Sequence, residues 1–194
     1  MYKRMLACIP VVFVAVLIFV GGAFAEDQQM KEEQGMPQTG PAPQMKQLDF
    51  LLGTWDVAMK SRFNPADTAW VETKGVATYE NILDGCIQKS SYESSMMGLP
   101  FEGLMLEGYN ADLGKWQAVW MDNTGGGRMS LYTGSEEGDS TVLSGTELYM
   151  GQQVFTRIVM YDMTPSSFNW KMETSPDGGK TLVVFATAVY TKRK

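Results

Sequence analysis

The chain has 194 residues, no histidine, two cysteines and a formal net charge of −6. Without histidine it can form no Ser-His-Asp triad, no Cys-His pair and no histidine-ligated zinc or haem site. An acidic chain whose one basic cluster is the last three residues is a poor candidate for binding nucleic acid, and it has no polybasic segment for anionic membranes.

Residues 1–25 have the three parts of a cleavable signal peptide. Two basic residues at positions 3 and 4 precede an uncharged apolar run over residues 5–20, and Ala23-Phe24-Ala25 supplies the small residues of a cleavage site. We predict cleavage before Glu26, export to the periplasm or beyond, and no membrane span in the mature protein.

Two alternatives to cleavage are a membrane anchor and a lipoprotein. The apolar run is slightly shorter than the ~20 residues that a span requires. Cys8 follows Leu6-Ala7 as in a lipobox, but it lies near the start of the apolar run and not at its end. Both features favour cleavage.

The predicted mature protein is acidic and has a single cysteine. Cleavage leaves 169 residues, the length of one domain, and changes the formal net charge from −6 to −8 because two basic and no acidic residues are removed. Cys8 leaves with the signal peptide, so Cys86 has no intramolecular partner and the fold needs no disulfide. The position of Cys86 at a turn entering a strand favours a small buried apolar role over a reactive thiol.

Residues 26–45 are predicted to form a disordered linker. The segment is rich in Gln, Glu, Pro and Gly and holds no aromatic or β-branched apolar residue. A short helix is predicted at most around residues 46–52, with Leu48, Leu51 and Leu52 on one face. The folded domain is therefore expected to span residues 46–194.

From Gly53 onward the pattern is typical of β-structure, with short alternating apolar runs separated by turn residues about every ten positions. In the clearest strand, Trp116, Ala118 and Trp120 share one face. Further alternation is found over residues 154–161 and 168–173. That clearest strand is Lys115–Asn123, and the other predicted strands are Trp55–Arg62, Val71–Ile82, Ile87–Ser94, Phe101–Tyr109, Arg128–Thr133, Thr141–Tyr149 and Thr181–Thr191.

Short hairpin turns connect these strands. Residues 110–114 and 175–179 contain the Asn, Asp, Pro and Gly of such turns, and residues 124–127 include three consecutive glycines. No long amphipathic helix is present, which argues against parallel βαβ units. The sequence predicts an all-β fold: an antiparallel up-and-down meander of about ten strands that closes into a barrel and so hides its edges. A two-sheet sandwich is the alternative.

The segment Gly53-Thr54-Trp55 opens the first strand and resembles the G-x-W motif of calycin barrels, which include lipocalins, fatty-acid-binding proteins and nitrobindin-like proteins. The resemblance implies that Trp55 plugs one end of the barrel. It also implies a basic partner from the last strand, Arg193 or Lys192, in a cation–π contact. Nitrobindin-like haem chemistry does not carry over, because its proximal ligand is a histidine.

A wider set of residues resembles the bacterial domain-of-unknown-function family 1579. The resemblance covers residues 46–194 and implies a calycin-like barrel without an established activity. The matching segments are Met96-Met97-Gly98-Leu99-Pro100-Phe101-Glu102-Gly103, Gly108-Tyr109-Asn110, Lys115-Trp116, Trp120-Met121-Asp122-Asn123 and Tyr190-Thr191-Lys192.

Several residues are candidates for binding a ligand. Trp120, Asp122 and Asn123 lie where a strand meets the glycine-rich loop, and they could orient a polar group at a barrel mouth. The alternative is that Asp122 and Asn123 hydrogen-bond the backbone of the turn. Arg157 could hold a carboxylate if it faces the interior, but a surface position is favoured.

The sequence does not decide whether Tyr92, Tyr109 and Tyr161 face the barrel interior or the surface. Tyr109 is included among the candidate ligand-binding residues. Met97 is the sixth candidate, as part of an adaptable methionine lining. The Met96-Met97 pair could also suggest copper, but no spaced array of thioethers supports a metal site.

No catalytic residue and no cofactor is predicted. Glu102, Glu107 and Asp122 would form an acid pair only if the fold happened to bring them together, since their spacing gives no support. The P-loop-like Gly179-Lys180-Thr181 lacks the required first glycine and is followed by a strand.

Three functions remain. The favoured one is an exported barrel that binds a small apolar or amphipathic molecule. The second is a structural or partner-binding envelope or secreted protein, which predicts an exposed apolar patch. The third is a histidine-free enzyme that uses a carboxylate or Tyr, which predicts a buried carboxyl with a raised pKa. An enzyme is less favoured than a binding protein.

Overall fold

The computed structural model describes residues 39–62, 67–149, 151–175 and 177–194. The predicted signal peptide and most of the predicted linker lie outside the described residues. Residues from Gly40 to Lys194 form one compact unit. No helix in the described part of the chain has the length and apolarity needed to cross a membrane.

Ten antiparallel strands form a meander that closes into a barrel, as the alternation and the hairpin turns predict. Each strand pairs with its neighbours in sequence, and β1 closes the barrel by pairing with β10. The sandwich alternative is therefore wrong. The strands are β1 (Gly53–Ser61), β2 (Val71–Ile82), β3 (Ile87–Met96), β4 (Leu99–Asn110), β5 (Lys115–Asp122), β6 (Ser130–Glu137), β7 (Ser140–Tyr149), β8 (Gln152–Tyr161), β9 (Ser167–Ser175) and β10 (Val183–Lys192).

A nine-residue 3-10 helix, Pro43–Leu51, covers one end of the barrel and is called the plug helix below. Its buried residues are Met45, Leu48 and Leu51, at 5%, 3% and 0% exposure. A spacing of three places them on one face, because a 3-10 helix has three residues per turn. The sequence predicted a helix face of Leu48, Leu51 and Leu52, but Leu52 lies just beyond the helix and Met45 takes its place.

The helix therefore begins at Pro43, three residues before the predicted start of the domain. Pro is well suited to a first helical position, because its missing N–H would have no partner there. A second 3-10 turn, Leu83–Gly85, joins β2 to β3. The core is the barrel interior itself, and its largest fully buried side chains include Trp55, Trp116 and Phe168.

Candidate functional site

The strand register decides which side chains face the barrel interior, called the lumen below. On β5, alternate residues pair with alternate residues of β6: Trp116 with Gly134, Ala118 with Tyr132 and Trp120 with Ser130. Most of these side chains are buried, which identifies this face of the strands as the inward one. The predicted shared face of Trp116, Ala118 and Trp120 is confirmed as the inward one.

The plug helix closes the floor of the lumen with three backbone carbonyls. Trp55 Nε1 donates to Leu51 O at 2.6 Å, Gln88 Nε2 donates to Leu48 O at 3.0 Å, and Lys192 Nζ donates to Phe50 O at 2.7 Å. These donors belong to β1, β3 and β10. The carbonyls of Phe50 and Leu51 lie at the end of the helix, where carbonyls have no helical partner, so the side chains of Lys192 and Trp55 satisfy them. Gln88 ties the preceding turn of the helix to β3.

Trp55 is the barrel plug that the G-x-W motif predicts, with 0% exposure. Its basic partner is Lys192, whose Nζ lies 5.3 Å from the centroid of the indole ring. Arg193, the other basic residue that the resemblance offers, does not contact the ring. Its guanidinium lies outside the barrel and pairs with Asp56 at 2.6 Å, because alternation along β10 turns Lys192 inward and the next side chain outward.

Directly above the floor lies a carboxyl group that has no charged partner. Glu107 of β4 is 7% exposed and sits opposite Gln88 of β3 in the strand register. Glu107 Oε1 and Gln88 Oε1 are both buried without a hydrogen-bond partner. Burial, with a smaller contribution from the charge of Glu136, raises the pKa of Glu107 from 4.5 to about 7.

Aromatic rings surround this carboxyl. Burial raises the pKa of Tyr79 well above 10, and the nearby Tyr190 and Glu107 raise it further. Tyr109, two residues along β4, packs edge-on against Trp116 with ring centroids 5.2 Å apart. The indole of Trp116 in turn donates from Nε1 to Glu136 Oε1 at 2.6 Å.

The opposite end of the lumen, called the mouth below, has a different polar network. Trp120 Nε1 donates to Asp122 Oδ2 at 2.9 Å, and the backbone and hydroxyl of Thr124 donate to Asp122 Oδ1. Although burial raises the pKa of Asp122, hydrogen bonds from Thr124 and Trp120 and the charge of Arg128 bring it below its usual value.

Glu147 of β7 is the second carboxylate of the mouth. It accepts from Ser130 Oγ at 2.5 Å and pairs with Arg128 Nε at 3.2 Å. The guanidinium of Arg128 also lies 5.1 Å from the ring centroid of Tyr149. Burial and the charge of Glu147 raise the pKa of Tyr132, which lies just inside, to about 12.

Inward-facing glycines make room for aromatic rings from neighbouring strands. A Cβ built on Gly103 would lie 2.2 Å from the Trp120 ring, and one on Gly75 would lie 2.7 Å from the Tyr92 ring. Each ring therefore lies over the backbone of the neighbouring strand that carries the glycine, on the inner side of the barrel wall. The hydroxyl of Tyr92 is buried without a well-aligned hydrogen bond. Burial raises the pKa of Tyr92, and the nearby side chains of Ser94 and Thr73 offset only part of that rise.

The structure divides the six candidate ligand-binding residues. Trp120 and Asp122 face the lumen at the mouth, and Tyr109 faces it near the floor. Asn123 instead braces the turn, accepting from the backbone of Glu102 and donating to Pro100 O.

The remaining two candidates lie outside the lumen. Arg157 is on the outer face of β8, where Nη2 pairs with Glu173 Oε2 at 2.6 Å. Met97 is 81% exposed in the β3–β4 turn with a φ of 55°, and its neighbours Met96 and Leu99 are also exposed. A groove of about 400 Å³ crosses β3 to β5 at the level of Gly103 and includes Asp122 and Asn123 in its lining.

The sequence does not predict the polar site at the floor of the lumen. It offers Glu107 only as one half of a possible acid pair, and it gives no motif for Gln88, Tyr79 or Tyr190 as site residues. Glu107 and Asp122 lie at opposite ends of the lumen and Glu102 is on the outer face, so no such pair forms. One signal was available: Glu107 is the acidic member of an otherwise apolar or small row that runs Phe101, Gly103, Met105, Glu107 and Tyr109.

Within the described residues, no group of three or more Cys, Asp or Glu side chains is arranged to hold a metal ion.

Comparisons with known proteins agree on the fold. A family model described as "Protein of unknown function (DUF1579)" matches residues 40–192. Among 17 matching solved chains, Rv2717c from M. tuberculosis is 15% identical with a TM-score of 0.57, over 79% of this chain and 99% of that one. The S-type phycobiliprotein lyase CPES from Guillardia theta is 12% identical with a TM-score of 0.53, over 77% and 92%. No curated protein matches the sequence.

Proposed function

The chain belongs to the DUF1579 family of proteins of unknown function, and we propose that it is an exported barrel that binds a small apolar or amphipathic molecule in its lumen. The observation that carries the proposal is a set of buried polar atoms without hydrogen-bond partners inside the barrel. They are Gln88 Oε1, Tyr92 OH, Glu107 Oε1 and Thr174 Oγ1.

Unpartnered polar atoms are costly in a protein interior. Each costs about 1–3 kcal/mol when water is removed and nothing replaces it, and native proteins keep few of them. All four atoms belong to inward-facing residues, spread from the floor to the mouth. A bound molecule with polar groups at matching places would satisfy them.

The aromatic rings that lie along the wall support the same proposal. The rings of Tyr92 and Trp120 pack closely over Gly75 and Gly103 on the inward side of the barrel and contribute aromatic surface to the lumen. Binding sites for small molecules commonly combine such apolar walls with a few polar groups that fix orientation. One structural neighbour is a phycobiliprotein lyase, which is compatible with small-molecule chemistry in this fold.

The lumen can be tested with N-phenyl-1-naphthylamine, a neutral apolar probe whose fluorescence rises on burial. Ala186→Leu places a larger side chain on the inward face of β10, and Ala58→Leu places the same group on the exposed face of β1 as a matched control. We expect the first variant to weaken probe binding at least tenfold and the control to leave it unchanged.

Two results would contradict the proposal. One is that the wild-type protein does not bind the probe. The other is that Ala186→Leu leaves probe binding unchanged, because the probe would then bind outside the lumen.

Export is a separate part of the proposal and rests on the signal-peptide pattern of residues 1–25. N-terminal sequencing of protein recovered outside the cytoplasm should give Glu26 as the first residue. Recovery of a chain that begins at Met1 would contradict this part and leave the lumen proposal standing.

A histidine-free enzyme is the second candidate, and Glu107 is the observation that favours it. A carboxyl whose pKa is raised to about 7 is suited to giving or taking a proton near neutral pH. If Glu107 is catalytic, native mass spectrometry should find substrate on the Glu107→Gln variant and product on the wild type. The same bound mass on both would favour simple binding.

A further inference from the structure

We propose that the floor of the lumen is a recognition site for an organic cation, an ammonium group carried by an apolar or aromatic molecule, with Glu107 and Gln88 as the accepting groups. The proposal rests on the lumen-binding function and names the chemical class of its ligand. It is carried by the distribution of charge on the inward faces of the strands.

The inward faces are rich in carboxyl groups and poor in cations. Within the ten strands, all of whose residues are described, the inward positions hold four carboxyl residues and one basic residue, Lys192. Lys192 is engaged at the floor with Phe50 O and the Trp55 ring. The four carboxyl residues are Glu107, Asp122, Glu136 and Glu147. A ligand carboxylate would therefore meet repulsion, whereas a cation would meet attraction.

Three of the four carboxyl groups already have donors. Asp122 accepts from Trp120 and Thr124, Glu136 accepts from Trp116, and Glu147 accepts from Ser130 and Arg128. Glu107 differs because its Oε1 is buried without a partner. It is therefore the inward carboxyl whose geometry still calls for a donor.

Gln88 adds a second acceptor at the same place. Its amide nitrogen donates to Leu48 O in the plug helix, and this fixes the side-chain oxygen as the free end. Glu107 and Gln88 lie directly opposite each other on β4 and β3. Once Glu107 is ionised, these two residues present facing acceptors without a donor, and they match an ammonium group, which has three N–H donors and no acceptor.

The aromatic residues around Glu107 suit a cation as well. Tyr79 lies close enough to Glu107 for the carboxylate charge to raise its pKa, and Tyr190 lies next to Tyr79. Tyr109 and Trp116 form the other side of the floor. The faces of such rings attract cations, and the attraction is stronger where water is excluded.

Three dansyl amides with the same five-carbon tail, ending in an ammonium, a methyl or a carboxylate group, test the proposal by fluorescence titration. We expect the wild-type protein to bind the ammonium probe at least tenfold more tightly than the carboxylate probe. Glu107→Gln should weaken ammonium binding about tenfold and change methyl-probe binding less than twofold. Glu102→Gln removes the same charge from the exposed face of the same strand and should change nothing.

If Glu107→Gln does not fold, the pH dependence of probe binding to the wild-type protein tests the same proposal. Ammonium affinity should rise between pH 6 and pH 8 as Glu107 loses its proton, while methyl-probe affinity stays constant. The other titratable groups facing the site are Glu136, Lys192, Tyr79, Tyr109 and Tyr190. The phenols of Tyr79 and Tyr190 stay protonated in this range because burial raises their pKa values above 10.

The outcomes separate the two proposals. Binding of the methyl probe without any preference for ammonium, or a preference that survives in Glu107→Gln, overturns the cation site and leaves the lumen function standing. An ammonium affinity that does not change with pH also overturns the cation site. Failure of all three probes to bind overturns the lumen function and the cation site together.

Discussion

Glu107 is a buried carboxyl that faces a second carboxyl, Glu136, and an amide oxygen, that of Gln88. Its ionised form loses the hydration it would have in water and is repelled by the charge of Glu136. It also faces the amide oxygen of Gln88, which is an acceptor and cannot donate a hydrogen bond to it. The protonated form avoids all three costs, since its O–H can donate to an oxygen nearby. Without a ligand, the folded protein thus favours the neutral form of this side chain.

This preference makes the stability of the protein depend on pH in a specific direction. The pKa of Glu107 is about 7 in the folded state against an ordinary value of 4.5. Between these values the folded state keeps a proton that the unfolded state has lost, so a rise in pH favours unfolding. The difference corresponds to at most about 3 kcal/mol, and it is complete above pH 7.

Glu107→Gln should remove this contribution. We expect the variant and the wild type to have similar free energies of unfolding near pH 4.5, and the variant to be more stable by about 2–3 kcal/mol at pH 8. Urea unfolding at both pH values measures the difference, with Glu102→Gln as the exposed control. Parallel pH profiles for wild type and Glu107→Gln would show that Glu107 ionises freely in the folded state.

Lys192 and Arg193 are neighbours in sequence with opposite environments. Lys192→Met removes the contact with Trp55 and leaves the carbonyl of Phe50 without its donor, so we expect a loss of about 1–3 kcal/mol. Arg193→Met removes an exposed ion pair with Asp56, which solvent screens, so we expect a smaller loss of stability than for Lys192→Met. Urea unfolding of the two variants compares them; equal losses would contradict the assignment of Lys192 as the plug partner.

At the level of the strands, a glycine on one strand makes room for an aromatic ring from the neighbouring strand. Gly103 on β4 accommodates Trp120 from β5, and Gly75 on β2 accommodates Tyr92 from β3. Alternation in the sequence predicted each strand and the common face of Trp116, Ala118 and Trp120. It could not predict which glycine receives which ring, because that depends on the register between strands, and the register is set by the closed barrel.

Gly103→Ala tests this matching. The added Cβ would meet the far edge of the Trp120 ring at 2.2 Å, so the ring must move, and we expect a loss of about 1–3 kcal/mol. Trp120→Phe shortens the side chain and should relieve part of that loss. A double-mutant cycle by urea unfolding should give a favourable coupling energy. Additive effects would mean that the two residues do not compete for the same space.

At the level of the whole molecule, the barrel was predictable and the polar floor was not. Short hairpin turns, alternation and the G-x-W segment predicted a closed meander and the position of Trp55. The floor joins Gln88, Glu107 and Tyr190 from β3, β4 and β10 above a helix that begins at Pro43. No local pattern connects residues so far apart in sequence, whereas the mouth residues Trp120 and Asp122 lie two positions apart on one strand and were predicted together.

The order in which the barrel forms follows from the same topology. Nine of the ten strand pairings join consecutive strands, but the seam between β1 and β10 joins segments more than 100 residues apart. Closing a long loop costs more entropy than closing a hairpin, so pairings between distant segments form late in folding. We therefore expect the seam to be absent from the folding transition state and the β7–β8 hairpin to be present.

Two core truncations of similar chemistry test this order. Val57→Ala lies on the seam opposite Tyr190, and Ile158→Val lies in the β7–β8 hairpin opposite Leu143. Each should destabilise the fold by about 1–2 kcal/mol. Stopped-flow folding in urea should show that Val57→Ala mainly raises the unfolding rate, because its contacts form after the transition state. Ile158→Val should instead slow folding. A folding rate that falls as much for Val57→Ala as for Ile158→Val would mean that the barrel closes before its hairpins are complete.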